Sequence, residues 1–245
     1  NLVFTGMYMN YLDLGGLHET DDYHQKPFIG KITEKGKVKW VSEDISQIKN
    51  GVGFNVACDS RGNAYVTVNT SYSHAYLSKV SKKGNTEWMH KIERSATFED
   101  LVVTEEDRIF ICGEGQGALF PSKGKAVFSY KSISGTDGFI AEYDTEGVLK
   151  WLKAFGDKGT EYCRSIAVRG NKVAAFGSYN NTITFKDVKL PKGSHFWVGE
   201  FDLKKLEDTS VKAPTPVVQK VIPKKPKKVG CFCTQELKQL SYAAN

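Results

Sequence analysis

One stretch constrains the fold of this chain more than any other: Asp137 to Gly156, DGFIAEYDTEGVLKWLKAFG. Phe139-Ile140-Ala141-Glu142-Tyr143 alternates with the period of two that a strand requires, and Val148-Leu149-Lys150-Trp151-Leu152 does so again. Between them, Asp144-Thr145-Glu146-Gly147 offers a polar turn start and a glycine free to take positive φ. The pattern is a β-hairpin, and it recurs. Phe28 leads to Gly36 and Trp40, Tyr76 leads to Gly84 and Trp88, and Phe139 leads to Gly147 and Trp151. In each copy the glycine stands eight residues after the aromatic and the tryptophan four further on. A fourth copy, Trp197 to Phe201, keeps the first strand and loses the glycine and the tryptophan. The copies begin about 50 to 60 residues apart, long enough for four strands, which marks stacked or radial repeats.

Two further strands fill each period. Phe54 to Cys58, a turn at Asp59 to Gly62, and Asn63 to Val68 precede the second hairpin. Phe98 to Val103, a turn at Thr104 to Asp107, and Arg108 to Gly113 precede the third. Tyr162 to Val168, Arg169-Gly170-Asn171 and Lys172 to Gly177 open the fourth copy. Each repeat is a four-stranded antiparallel meander, here lettered A to D, and the expected fold is all-β: a β-propeller with about three and a half to four blades visible. The first repeat enters at strand B, Asn1 to Gly6, so the chain reads as a piece of a larger propeller with more blades upstream. Closure into four blades would need Val217 to Ile222, bracketed by Pro216 and Pro223, as the absent A strand.

Here a resemblance carries weight. The run from Gly135 to Phe185, with an aromatic-led strand, an acidic-x-x-Gly turn, a Trp strand ending in Phe155-Gly156, and a strand like Asn63-Ala64-Tyr65-Val66-Thr67, resembles the bacterial seven-bladed β-propeller repeat family. The resemblance covers residues 1–203 and implies an architecture, a bacterial protein, and a place outside the cell or on its surface. Its motifs are packing motifs and name no activity.

The formal charge of +6 has one source. Residues 204–228 hold the excess lysines, among four prolines, while residues 1–203 balance acid against base. A neutral folded part has no electrostatic footprint for nucleic acid. The expected division is therefore blades over residues 1–205, a semi-rigid Pro/Lys linker over 206–228, and the start of a further module or tail over 229–245. The last segment, with Cys231-Phe232-Cys233 before a short helix signal at Gln235 to Leu240, is faintly similar to leader segments of cell-wall hydrolase-like proteins attached to bacterial contractile injection systems. No run of eighteen apolar residues occurs, so no transmembrane helix is expected. Cys58, Cys112 and Cys163 sit in strand-like runs and read as small buried residues.

Chemical motifs are sparse. The densest polar cluster lies in the first B–C loop, where His18, Asp21, Asp22 and His24 offer imidazoles and carboxylates for a divalent metal. An exposed acidic loop accounts for the same residues without a ligand. His74, His90 and His195 are isolated near strand ends and read as surface histidines. Glu99, Asp100 and Glu161 open A strands, where carboxylates can converge on a ring mouth or simply cap blades. Trp40, Trp88 and Trp151 share one repeat position and read as packing between blades. No cofactor is implied. Two functions remain: a non-catalytic interaction or scaffold module whose partner is another protein or a domain of the same polypeptide, and a propeller enzyme of quinoprotein or lyase kind with a central site. The long loop from Glu114 to Thr136 carries a hairpin pattern at Ala126 to Tyr130, leaving Phe120, Pro121 and Lys123 as the expected exposed contact.

Overall fold

Five tight turns set the frame of the structure, a computed structural model that describes residues 1–14, 23–71, 74–122, 125–129, 134–185 and 188–204. In the turns at 33–36, 59–62, 81–84, 104–107 and 144–147, the fourth residue's N–H donates to the first residue's carbonyl. The first residue's Thr, Asp or Ser oxygen accepts the N–H of the residue just before the next strand, as Asp144 Oδ1 does from Val148 at 2.9 Å. That bond satisfies a donor the ladder leaves idle. The fourth residue must take positive φ: 76° at Gly36, 98° at Gly84, 75° at Gly147 and 60° at Asp107, where an aspartate tolerates it. The three expected glycine turns form as read.

Between these turns run four antiparallel sheets. Sheet I comprises β1 (Leu2–Tyr8), β2 (Lys26–Ile32) and β3 (Val38–Val41), followed by the one-turn helix α1 (Glu43–Ser46). Sheet II is the meander β4 (Gly51–Cys58), β5 (Ala64–Thr70), β6 (Ala75–Val80) and β7 (Thr86–Ile92). Sheet III is built from β8 (Ala96–Val103) and β9 (Ile109–Gly115), then a side hairpin of β10 (Leu119–Ser122) and β11 (Lys125–Ser129), then β12 (Ser134–Tyr143) and β13 (Leu149–Phe155). Sheet IV holds β14 (Lys158–Arg169) and β15 (Lys172–Asn181), the small hairpin β16 (Thr184–Phe185) and β17 (Val188–Lys189), and β18 (Gly193–Asp202). A parallel pairing of Ser134 to Thr136 with Lys158 to Thr160 ties sheets III and IV into one ladder.

Strand alternation divides each of the middle sheets, II and III, between two neighbours. On β5, Ala64, Val66 and Val68 join Ile29 of β2, Ile45 of α1 and Ile48 just beyond it, while Tyr65 joins Phe98, Ile109 and Phe139 of sheet III. On β9, Ile109 and Ile111 face sheet II, while Phe110 and Cys112 face Cys163, Val173, Ala175 and Trp197 of sheet IV. The three cores are thus the three sheet-to-sheet junctions, in chain order. The fold is all-β, and a closed ring is not found among the described residues. The linker at 206–228, the segment 229–245 and the closing candidate Val217 to Ile222 lie outside the described residues.

Candidate functional site

The strands that open sheets II, III and IV lie side by side, β4 against β8 and β8 against β14. Each carries a one-residue bulge at the corresponding place: Phe54 between Gly53 and Asn55, Glu99 between Phe98 and Asp100, and Arg164 between Cys163 and Ser165. A bulge re-aims one side chain and twists its strand. Here the three re-aimed residues are an exposed phenylalanine, a carboxylate and a guanidinium. Pattern reading pairs Phe54 with Phe98 and Tyr162 as first aromatics, and the bulges correct that register by one to two residues.

Hydrogen bonds then stitch strand to strand. Asn55 Nδ2 donates to the Glu99 carbonyl at 3.2 Å, and Asn69 exchanges two bonds with the Phe98 backbone at 2.7 and 2.8 Å. Arg164 donates to Glu99 Oε1 at 2.6 Å while its guanidinium lies 4.0 Å over the Tyr162 ring. Ser165 Oγ and the Ile166 N–H both donate to Asp100 Oδ2, at 2.8 and 2.9 Å. Behind Glu99, on β9, burial pushes the Glu114 carboxyl up to about 8, the Glu99 charge adds to this, and Arg164 draws it back. Glu114 therefore carries a proton at neutral pH beside the Glu99 carboxyl group and the Arg164 guanidinium. A neutral acid next to a second carboxyl group and an arginine is the most chemically organised group on β8, β9 and β14.

A second polar cluster sits where sheets III and IV join. Glu161 is fully buried and its carboxyl is raised to about 7, chiefly by burial, with Asp137 and Asp157 adding repulsion. Glu161 Oε2 accepts the Asp157 N–H at 3.4 Å, and Asp157 Oδ2 accepts from Thr182 Oγ1 at 3.0 Å. Only a glycine fits between these carboxylates: a β-carbon on Gly156 would meet both Asp137 Oδ1 and Glu161 Oε2 within 3 Å. Among the described residues, no group of three His, Cys, Asp or Glu side chains is placed to hold a metal ion.

The tryptophans do more than pack. Trp40 Nε1 donates to the Lys82 carbonyl in the 81–84 turn at 2.9 Å, and Trp88 Nε1 to the Thr145 carbonyl in the 144–147 turn at 3.1 Å. The last strand of one sheet therefore reaches the glycine turn of the next. A β-carbon on Gly84 would lie 2.8 Å from Trp40 Cγ, and one on Gly147 would lie 3.1 Å from the Trp88 ring. Trp151 behaves differently. Its indole donates to Glu142 of its own hairpin, and Arg108 Nε and Nη2 grip the same carboxylate at 2.7 and 2.8 Å.

Several expectations are corrected. Phe120 is not an exposed contact: it is fully buried, edge-to-face on Phe139 at 4.9 Å, because the β10–β11 hairpin folds it inward. Pro121 is half-buried and its carbonyl accepts the Tyr143 hydroxyl at 3.1 Å. Lys123 lies outside the described residues, as do His18, Asp21 and Asp22. His24, the remaining member of that acidic loop, lies with Nδ1 3.1 Å from Asn50 Oδ1. His90 is no surface histidine. It stacks on Trp88 at 4.8 Å with Nε2 2.7 Å from the Gly147 carbonyl, and burial lowers its pKa so that it stays neutral and donates there. Cys58 is exposed, whereas Cys112 and Cys163 are buried. Sequence reading names Glu99 but not its partners Arg164 and Glu114 nor the bulges, since a bulge leaves no composition of its own. Scanned against protein-family models and against curated proteins, the chain matches no known family or relative.

Proposed function

We propose that the chain is a non-catalytic scaffold module, an arc of a β-propeller that presents rigid sheet faces and rims to a protein partner or to another domain of its own polypeptide. The observation that carries this reading is how the inner-strand charges are used. Arg164 is committed to Glu99, and Asp100 to Ser165 and the Ile166 backbone, so these groups tie strand to strand. The side-by-side opening strands and the bulge recurring in each support the radial arrangement. The resemblance to bacterial propeller repeats supports a place on or outside a bacterial surface, and the tail's faint similarity extends this to a component or cargo of a contractile secretion assembly. Among the described residues no helix is long and apolar enough to cross a membrane.

One observation favours the alternative, a propeller enzyme. The protonated Glu114 beside the Glu99 carboxyl group and Arg164 is a proton donor within one polar site. Differential scanning of the full chain against sugars, quinones and divalent cations, and against a chelator, separates the two. A scaffold gives no ligand-dependent shift in melting temperature. A shift that vanishes in Glu114→Gln would establish a ligand site and overturn the scaffold reading.

A further inference from the structure

Two junctions within the chain are built by one device. The earlier sheet sends a tryptophan onto the later sheet's glycine turn, and the later sheet offers it an apolar face. Trp40 reaches the 81–84 turn and Trp88 the 144–147 turn. On sheet III the face so covered comprises Ile109, Ile111, Phe139, Ala141 and Tyr143, each fully buried. On sheet II it comprises Ala64, Val66 and Val80, again fully buried.

Sheet I has the same face and the same turn, and among the described residues no further strand or helix packs over them. The register Phe4↔Gly30 and Gly6↔Phe28 puts Leu2, Phe4, Phe28 and Ile32 at the corresponding positions, on the side away from sheet II. Leu2 is 60% exposed, and Phe4 and Phe28 meet edge-to-face at 5.7 Å across two glycines, each ring 3.0 Å from where a glycine β-carbon would be. The 33–36 turn repeats the bonds of its counterparts, with Gly36 at φ 76°, yet a β-carbon there would meet nothing within 4 Å. Glu34 stands where Lys82 and Thr145 accept an indole.

We infer that this face and turn are the seat for a further antiparallel sheet of the same repeat, in cis or in trans, whose last strand carries a tryptophan. Continuity with the two internal junctions selects that occupant. A second copy of this chain lacks the means: Trp40, Trp88 and Trp151 are bonded within the chain, and Trp197 is buried edge-to-face on Phe155. The inference rests on reading the chain as an arc of stacked sheets and is tested without any ligand, so its failure is distinct from failure of the scaffold reading.

The test extends the full chain at its N-terminus by a duplicate of residues 51–107, joined directly to Asn1. The duplicate supplies a complete preceding sheet, an opening strand for sheet I, and a second Trp88 aimed at the 33–36 turn. The expected result is a melting temperature raised by about 3–8 °C, a blue-shifted extra indole, and a Gly36→Val penalty larger in the extended chain than in the parent. An extension that leaves melting unchanged, or an equal Gly36→Val penalty in both, overturns the seat. So does a parent chain that dimerises in sedimentation and reverts to monomer on Leu2→Glu, since the occupant is then a second copy.

Discussion

Sheets III and IV carry the same face in two conditions. On sheet III, Phe110, Cys112 and Ile140 point toward sheet IV and are buried, flanked by the Arg108–Glu142 ion pair. On sheet IV the matching positions are Ala174, Phe176 and Val198, flanked by Lys172–Glu200. There Phe176 is 39% exposed, Val198 51%, and Phe196 beside them 56%, stacked on Phe176 at 5.7 Å. The alternation, the residue types and even the charge pair repeat; only the cover differs. Periodicity in a sequence therefore specifies a face, and the neighbour decides whether that face is a core. A patch of this kind is where a soluble surface departs from its usual scatter of single apolar residues.

The sharpest way to break the comparison is a charge at its centre. Ile140→Asp buries a carboxylate between two sheets and is expected to cost about 3–5 kcal/mol or to prevent folding. Val198→Asp, at the same repeat position on the open face, is expected to stay within about 0.5 kcal/mol. Denaturant midpoints of both variants test this. A Val198→Asp loss approaching that of Ile140→Asp would show that sheet IV is covered in solution.

The glycine turns come next, and they separate strain from contact. Gly36, Gly84 and Gly147 share positive φ, so alanine at any of them pays the left-handed cost, about 1 kcal/mol at Gly36. At Gly84 and Gly147 the new methyl also strikes Trp40, or Trp88 and His90, and the expected loss is about 2–3 kcal/mol. Equal losses at all three positions would mean that the tryptophan device does not hold in solution.

These turns were legible because their chemistry is local: a Thr, Ser or Asp, two polar residues, and a glycine spell the geometry within a few residues. The strand alternation was legible for the same reason. What escaped depends on partners distant in sequence. Phe120 sits beside a proline and a lysine and reads as a loop tip, but its burial is decided by Phe139 across the sheet. The bulges at Phe54, Glu99 and Arg164 are registers between strands, and the Glu114–Glu99–Arg164 group exists only once three strands lie together. Trp151 matches Trp40 and Trp88 in the sequence yet turns to Glu142 of its own hairpin, a bond decided across the ladder.

The covered face has a cost of its own. Lys153 shares the side of β13 that holds Trp151 and Phe155, is 1% exposed, and its Nζ finds no hydrogen-bond partner among the described residues. Burial lowers its pKa to about 7 from 10.5. The unfolded chain then binds the extra proton, so this group lowers stability fully below pH 7, and stability recovers as pH rises from 7 toward 10.5. Lys153→Met is expected to stabilise by about 1–2 kcal/mol at pH 6. The gap to the parent should close above about pH 10, and a gap independent of pH would refute the buried amine.

The smallest effect belongs to the open face. Lys172 Nζ donates to Glu200 Oε1 at 2.6 Å, and Glu200 raises the lysine's pKa, yet the two side chains are 62% and 45% exposed. Water already solvates both ions, and holding two long side chains together costs rotamer freedom, so the short distance is no measure of stability. Its counterpart, Arg108–Glu142, is partly buried and shares its carboxylate with the Trp151 indole, a group that needs the bond. Lys172→Ala is accordingly expected to leave the urea midpoint where it was, at low salt and in 1 M NaCl alike. A salt-sensitive loss in Lys172→Ala would mean that the pair is shielded from water, and hence that a partner covers the outer face of sheet IV.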